Sequence, residues 1–492
     1  MKRRLIKNAV ANLTRGGAAA VVALLLPPIL VRHMPAASYA VWVLALQAAA
    51  YVAYLDFGLQ TAIGRYIAYA NEKRDIALRD GVFSTALAGL TLAGALGFLL
   101  VVGIALASHR IFPSIPSALL PALRITMLIV GFGTALSMPG SAWSGIFIGL
   151  QRFEIPALAN GTGKLLSAIA LIWAAITGKS LVFMAFIMAV ASLYSYGMQF
   201  LAQRRVAPGI HFNATLITRP VIRELFGYCF SLSIWSFSML LVNGFDLILV
   251  GRFQFSAVTP YSVSATLITF LAGVQIAIFG VIMPHAAELH AQENPTALGK
   301  LLIKTTRLGL LILLLNGLPL IVFATPIIKV WIGVEFAKTG GTLLAILVAA
   351  NIVRLIGTPY ASILLGTGQQ RLVIISPLME GVTNLLCSIF LGWKFGAVGV
   401  AWGTMIGALV GMLANIFYNL PRTRRYVDVG LREYINRGIL IPSVAFLPVL
   451  ATAIYHAFKS DTTLILWVIS LGCSLCLSIL MMMRSIPQNR RA

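Results

Sequence analysis

Fourteen apolar stretches, each long enough to cross a bilayer, occupy most of this 492-residue chain. A spanning helix needs about 20 apolar residues. Six stretches lie near residues 16–31, 38–59, 82–107, 119–149, 157–177 and 181–201. Six more follow near 225–250, 259–283, 305–325, 343–365, 372–393 and 398–420, and 439–457 and 463–483 complete the set. Lipid offers no partner to an unsatisfied peptide group, so such stretches fold as helices. The expectation is an all-α polytopic membrane protein with fourteen transmembrane helices.

Charge follows position. The net charge of +23 would suggest nucleic acid in a soluble protein, yet only 10% of the residues are charged and the cations lie mainly between the spans. Counting sides alternately from the N-terminus, 24 Lys and Arg fall on the first side and nine on the other. Lys2, Arg3, Arg4, Lys7, Lys73, Arg74, Arg79, Arg204, Arg205, Arg219 and Arg223 are among the 24. The positive-inside bias then places both termini in the cytoplasm, and an even helix count agrees. A basic start before an apolar run resembles a cleaved signal, but a second span follows within a few residues, so the first is read as retained.

An internal repeat organises the spans. Gly161, Leu165, Leu166, Ile169 and Leu171 correspond to Gly381, Leu385, Leu386, Ile389 and Leu391 at a shift of 220 residues, and Ile29 to Arg32 resembles Ile248 to Arg252. Ile146, Gly149 and Arg152 match Ile363, Gly366 and Arg371, with two residues inserted in the second copy. Six helices separate the copies, which makes the repeat parallel, as in many carriers. The expected organisation is an N-lobe over residues 1–215 (helices 1–6), a C-lobe over 216–425 (helices 7–12) and two additional helices over 426–492. Gly399, Gly403, Gly407 and Gly411 form a stripe on one helix face that suits close helix packing.

Catalytic and cofactor signatures are missing. Gly161-Thr162-Gly163-Lys164 approaches a phosphate loop, but its first glycine is misplaced and Leu165 stands where Ser or Thr is required. His285, Glu288 and His290 do not have the HExxH spacing. Cys229, Cys387, Cys473 and Cys476 all fall inside spans and suggest neither disulfides nor a metal. No enzyme, cofactor or metal site is expected.

Charged groups at bilayer depth cost at least about 2.5 to 3.5 kcal/mol, so they mark cavities or buried partners. Arg354 falls near the middle of the tenth span, Lys164 a third of the way into the fifth and Arg15 at the start of the first. Gln47, Gln275 and Asn243 add hydrogen-bonding groups. These six are the candidate cavity residues; for Arg354 a buried ion pair is the competing reading, and Lys164 and Arg15 can reach the interface by snorkelling. Asp56, Asp246 and Glu380 are the candidates for ion coupling. Cations outnumber anions within the spans, which favours an anionic cargo such as phosphate.

Leu55-Asp56-Phe57-Gly58-Leu59, Gly64-Arg65-Tyr66, the loop Gly149 to Glu154, Asn243-Gly244-Phe245-Asp246 and Gly366 to Arg371 together resemble the polysaccharide transporter family. These are the Wzx-type O-antigen and exopolysaccharide flippases of the multidrug/oligosaccharidyl-lipid/polysaccharide exporter superfamily. The resemblance implies export of an undecaprenyl-pyrophosphate-linked oligosaccharide from the cytoplasmic to the periplasmic leaflet by alternating access driven by an ion gradient. It implies a monomer in the bacterial inner membrane, in contact with membrane lipids, a glycan polymerase and a chain-length regulator, with no nucleic-acid partner. A multidrug or organic-cation antiporter and a lipid II flippase of the same superfamily are the alternatives. A glycan ligase or polymerase would need a large periplasmic loop, and the outside connections here are short.

Overall fold

The computed structural model describes residues 22–279 and 282–458, and all the regular structure there is helical. Eleven helical segments among these residues are long and apolar enough to span a membrane. One of them, Arg371–Arg422, contains two of the expected spans, so the eleven correspond to the second through thirteenth apolar stretches. The first is described from Val22 on, and the fourteenth lies outside the described residues. The chain is therefore a multi-pass membrane protein. On the helix Ile76–Leu106 the large side chains turned away from the protein, Leu92, Leu96 and Leu99, are 54% to 63% exposed, and a surface this apolar requires lipid.

Two compact units divide the chain, Met1–Ser262 and Val263–Ala492. The first begins with α1 (Val22–His33), α2 (Ala36–Tyr54), α3 (Leu59–Lys73) and α4 (Ile76–Leu106). A single turn, α5 (Ser108–Ile111), precedes α6 (Leu120–Ser137), α7 (Ser141–Gly149), α8 (Glu154–Ile176) and α9 (Leu181–Val206). Then come α10 (Arg219–Asn243) and α11 (Asp246–Phe253). Helix α12 (Val258–Phe279) carries the boundary, and the second unit continues with α13 (Ile282–Ala291), α14 (Pro295–Val322) and α15 (Ala324–Trp331). It is completed by α16 (Ala337–Leu355), α17 (Thr358–Gly366) and α18 (Ile375–Ala414), followed by the span Leu431–Thr452.

The same local devices recur in both units. Arg74 ends α3 in the left-handed conformation at φ 55°, and Asp75 then caps α4 by accepting the Leu78 N–H at 2.9 Å. In the second unit Glu293 has φ 52°, and Asn294 accepts the Ala297 N–H at 2.9 Å, each 219 positions after its counterpart. A short polar side chain at the N-cap satisfies a helical N–H that the helix itself leaves unbonded. Helices α7 and α17 match too: both have nine residues and each is followed by a left-handed residue, Gln151 or Gly368. Their final glycines lie directly on a neighbouring backbone. A Cβ on Gly149 would come 2.7 Å from the Gly64 carbonyl, and one on Gly366 2.4 Å from that of Met283, which follows Gly64 by 219 positions.

Helix α18 is two helices joined at Gly396, whose φ of 61° and ψ of −140° reverse the chain. Only a residue without a Cβ adopts such angles readily. The glycine stripe closes the hairpin that results. A Cβ on Gly399, Gly403, Gly407 or Gly411 would come within 2.0 to 2.7 Å of Leu391, Ser388, Asn384 or Glu380 respectively. Close helix packing, the simpler reading of the stripe, is what these glycines do. Polar side chains continue the seam: Asn419 donates to Ser376 and Asn415 at 2.8 Å each, within a π-helical turn, Asn415–Asn419.

Candidate functional site

Several long apolar stretches are not continuous helices, and the breaks carry the chemistry. Between α2 and α3, Phe57 at φ 50° and Gly58 at φ 77° turn the chain within Leu55-Asp56-Phe57-Gly58. Asp56 is half-buried there and its Oδ1 accepts the Gln60 N–H at 3.4 Å, at the start of α3 where the helix dipole favours an anion.

A second break separates α10 from α11 at Gly244 and Phe245. A Cβ at Gly244 would lie 2.5 Å from the Leu240 carbonyl, so this turn of chain requires glycine. The Gly244 carbonyl has left the helical ladder, and α2 supplies its partners: Gln47 Nε2 donates at 3.0 Å and the Tyr51 hydroxyl at 2.7 Å. Tyr51 also faces the Phe245 ring at 5.7 Å between centroids. Asp246 begins α11, where an acidic residue complements the positive helix end, and its Oδ2 accepts from the Tyr261 hydroxyl at 3.3 Å. An apolar cavity of about 250 Å³ lies between the two breaks, lined by Tyr51, Tyr54, Phe57, Phe237 and Phe245 among others.

Removing both donors to Gly244 should be felt in stability. Tyr51→Phe and Gln47→Leu each should cost about 1 kcal/mol, and together about 1 to 3 kcal/mol because a buried carbonyl is then left without a donor. Thermal unfolding in detergent tests this; an additive loss near zero would show that water replaces both side chains.

Cations occur midway along α3 and at the start of α10. The Arg65 guanidinium is exposed, 4.7 Å from the Tyr228 ring centre and 5.7 Å from that of Tyr66, and the two rings meet edge-to-face at 6.1 Å. Cation–π contact fixes a guanidinium without neutralising it. Arg219, Arg223 and Glu224 line an open cavity of about 910 Å³ on the same stretch of α10. Arg65 over its two tyrosine rings and Arg219 with Arg223 in the open cavity are guanidinium groups of the first unit suited to phosphate oxygens. Arg65 was not among the candidate residues although its motif was noted. The apolar stretch ends near Leu59, whereas the candidate span runs Ala36–Lys73 and includes it.

In the second unit the two opposite charges expected in separate roles meet. Arg354 Nε, in the last turn of α16, donates to Glu380 Oε1 of α18 at 2.5 Å, with side chains 15% and 11% exposed. Asn351 Oδ1 accepts from Arg354 Nη1 at 3.4 Å, and Gly411 leaves room for the Glu380 carboxylate. Gln275 is fully buried and its Nε2 donates to the Gly309 carbonyl of α14 at 3.0 Å, a helix-packing contact. Lys164 is exposed on α8. Arg15 and the side chain of Asn243 lie outside the described residues. Among the described residues no group of three His, Cys, Asp or Glu could hold a metal ion.

The fold is shared with several solved transporters. A lipid II flippase in an inward closed conformation is 14% identical, with a TM-score of 0.71 over 97% of this chain and 98% of that one. An inward-facing multidrug resistance transporter of the MATE family is also 14% identical, with a TM-score of 0.68 over 86% of this chain and 99% of that one. A transporter of the same superfamily from Pyrococcus furiosus is 14% identical, with a TM-score of 0.61 over 86% and 95%. No curated protein matches by sequence. The family described as polysaccharide biosynthesis protein matches residues 5–290, more than half of the chain. With the helical membrane fold of the multidrug/oligosaccharidyl-lipid/polysaccharide exporter superfamily, the chain belongs to the polysaccharide biosynthesis protein family.

Proposed function

We propose that the protein is a flippase that moves an undecaprenyl-pyrophosphate-linked oligosaccharide from the cytoplasmic to the periplasmic leaflet of the bacterial inner membrane. The family match over residues 5–290 carries this reading, because the fold alone is common to glycolipid and drug transporters. The guanidinium groups of Arg65, Arg219 and Arg223 support it on chemical grounds. Sugar hydroxyls dragged unaided through hydrocarbon cost several kcal/mol per unsatisfied group, and a diphosphate costs more. A protein path that meets the anion with guanidinium groups offsets that cost.

Two parallel lobes, over residues 1–215 and 216–425, would open alternately, with the segment 426–492 as an addition. The charge bias of the loops supports cytoplasmic termini. Asp56, Asp246 and Glu380 are the carboxylates through which an ion gradient would drive the cycle, and Lys164, Arg15, Gln47, Gln275, Asn243 and Arg354 remain cavity candidates. In this reading the protein works as a monomer, hands its cargo to a glycan polymerase and chain-length regulator, and catalyses no covalent step.

Liposomes containing the purified protein should move a fluorescent lipid-linked oligosaccharide between leaflets. Arg65→Ala should slow that movement about tenfold at unchanged protein level, the equivalent of one charge-assisted hydrogen bond. Transport of organic cations with no glycolipid movement would replace this reading by the antiporter. Movement of lipid II in preference to other lipid-linked glycans would replace it by the peptidoglycan flippase, which the 97% coverage of the lipid II flippase structure favours as the second reading.

A further inference from the structure

One end of the first unit holds a third cavity, distinct from the one between the helix breaks and from the one lined by Arg219 and Arg223. It measures about 500 Å³ and is floored by Phe83 and Leu87 of α4, Trp143 of α7 and Phe200 of α9. Its rim carries Arg204, in the last turn of α9, and His211, in the segment that follows. Candidate spans Ile76–Leu106 and Leu181–Val206 both terminate near it, so the cavity lies where apolar helix gives way to polar chain.

Three sets of hydrogen bonds hold the following segment in place over the floor. Gln203, 6% exposed, donates its amide to the carbonyls of Ala207 and Ile210 at 2.9 Å each. Arg79 donates to the Gly209 carbonyl while pairing with Asp80 at 2.9 Å. The Asn213 N–H donates to the fully buried Ser84 hydroxyl at 2.8 Å. The rim is therefore fixed by contacts beneath it. On that rim the Arg204 guanidinium lies 4.6 Å from the centre of the Phe200 ring, and Trp143 meets Phe200 edge-to-face at 5.3 Å.

An aromatic floor under a cationic edge at the end of two spans matches one kind of molecule in its surroundings. A phospholipid can lay an acyl chain along Phe83, Leu87 and Trp143 and set its phosphate against Arg204. Basic pockets between helices at the cytoplasmic boundary select anionic head groups, and Trp and snorkelling Arg both concentrate at that depth. We propose that this cavity is a binding site for one anionic phospholipid, which fastens the segment after α9 to the bilayer. The site does not depend on the cargo that the protein moves.

The test uses the full chain in phosphatidylcholine nanodiscs containing a small fraction of either brominated phosphatidylglycerol or brominated phosphatidylcholine. The Trp143 emission is obtained by difference against Trp143→Phe. Brominated phosphatidylglycerol should quench it about tenfold more effectively, and the paired substitution Arg204→Ala with His211→Ala should abolish that preference while the thermal midpoint stays unchanged. Equal quenching by the two lipids, or a preference that survives the paired substitution, overturns the proposal. Displacement of the lipid by millimolar inorganic phosphate also overturns it, since the site would then read phosphate alone. Should a variant not fold, native mass spectrometry of the unaltered chain decides: retention of phosphatidylglycerol over phosphatidylcholine supports the site, and retention of neither excludes it.

Discussion

Glu380→Ala should cost about 3 to 5 kcal/mol, enough to remove most folded protein from the membrane, because the substitution leaves the Arg354 guanidinium buried without its carboxylate. The ion pair bridges α16 and α18 in the interior of the second unit, with both side chains less than a sixth exposed. Arg354→Ala should do comparable harm from the other side. The paired change Arg354→Met with Glu380→Leu should recover much of the loss, since two matched apolar side chains fill the space with no charge to desolvate. Thermal unfolding of the unaltered chain, the two single alanine variants and the double alanine variant forms a double-mutant cycle. A large positive coupling would establish a structural pair. Additive losses with normal protein level, accompanied by lost transport, would instead put Arg354 in the cargo path.

Gly403→Val should be among the most damaging single changes in the helical hairpin of α18. Even the first carbon of the new side chain would lie 2.2 Å from the Ser388 hydroxyl and 2.5 Å from the Ser388 nitrogen, and the backbone atom cannot turn aside. Overpacking of a tight core costs about 1 to 3 kcal/mol, and a branched side chain placed against backbone belongs at or beyond the top of that range. Gly403→Ala should cost less, and Gly161→Ala, where a Cβ meets nothing within 4 Å, should be neutral. Protein yield and thermal midpoint measure all three. Equal midpoints for Gly403→Val and Gly161→Ala would show that the two halves of the hairpin separate without penalty.

The apolar stretches and the glycine stripe were legible because each is a one-dimensional pattern: hydropathy over 20 residues, or a small residue every four. The repeat was visible for the same reason, and the matching caps at Asp75 and Asn294 refine its offset to 219 in that region. The breaks were not. Stretch 225–250 reads as one uninterrupted apolar run, yet α10 ends at Asn243, since Gly244 is held out of the ladder by donors nearly two hundred positions earlier. The Arg354–Glu380 pair was hidden similarly, because 26 residues and a loop intervene and only packing joins them. The partner of Gln275 Nε2, the Gly309 carbonyl, likewise lies 34 residues on in another helix.

A backbone carbonyl offers two lone pairs, and at Gly244 the side chains of Gln47 and Tyr51 take both. Comparable interruptions in other carriers present bare carbonyls to sodium or to a proton-bearing ligand. This one is saturated from within its own unit, so no passing ion can be ligated there without first dislodging a tyrosine or a glutamine. The Gly244 carbonyl is thus closed to ligands, and the interruption acts there as a riveted joint.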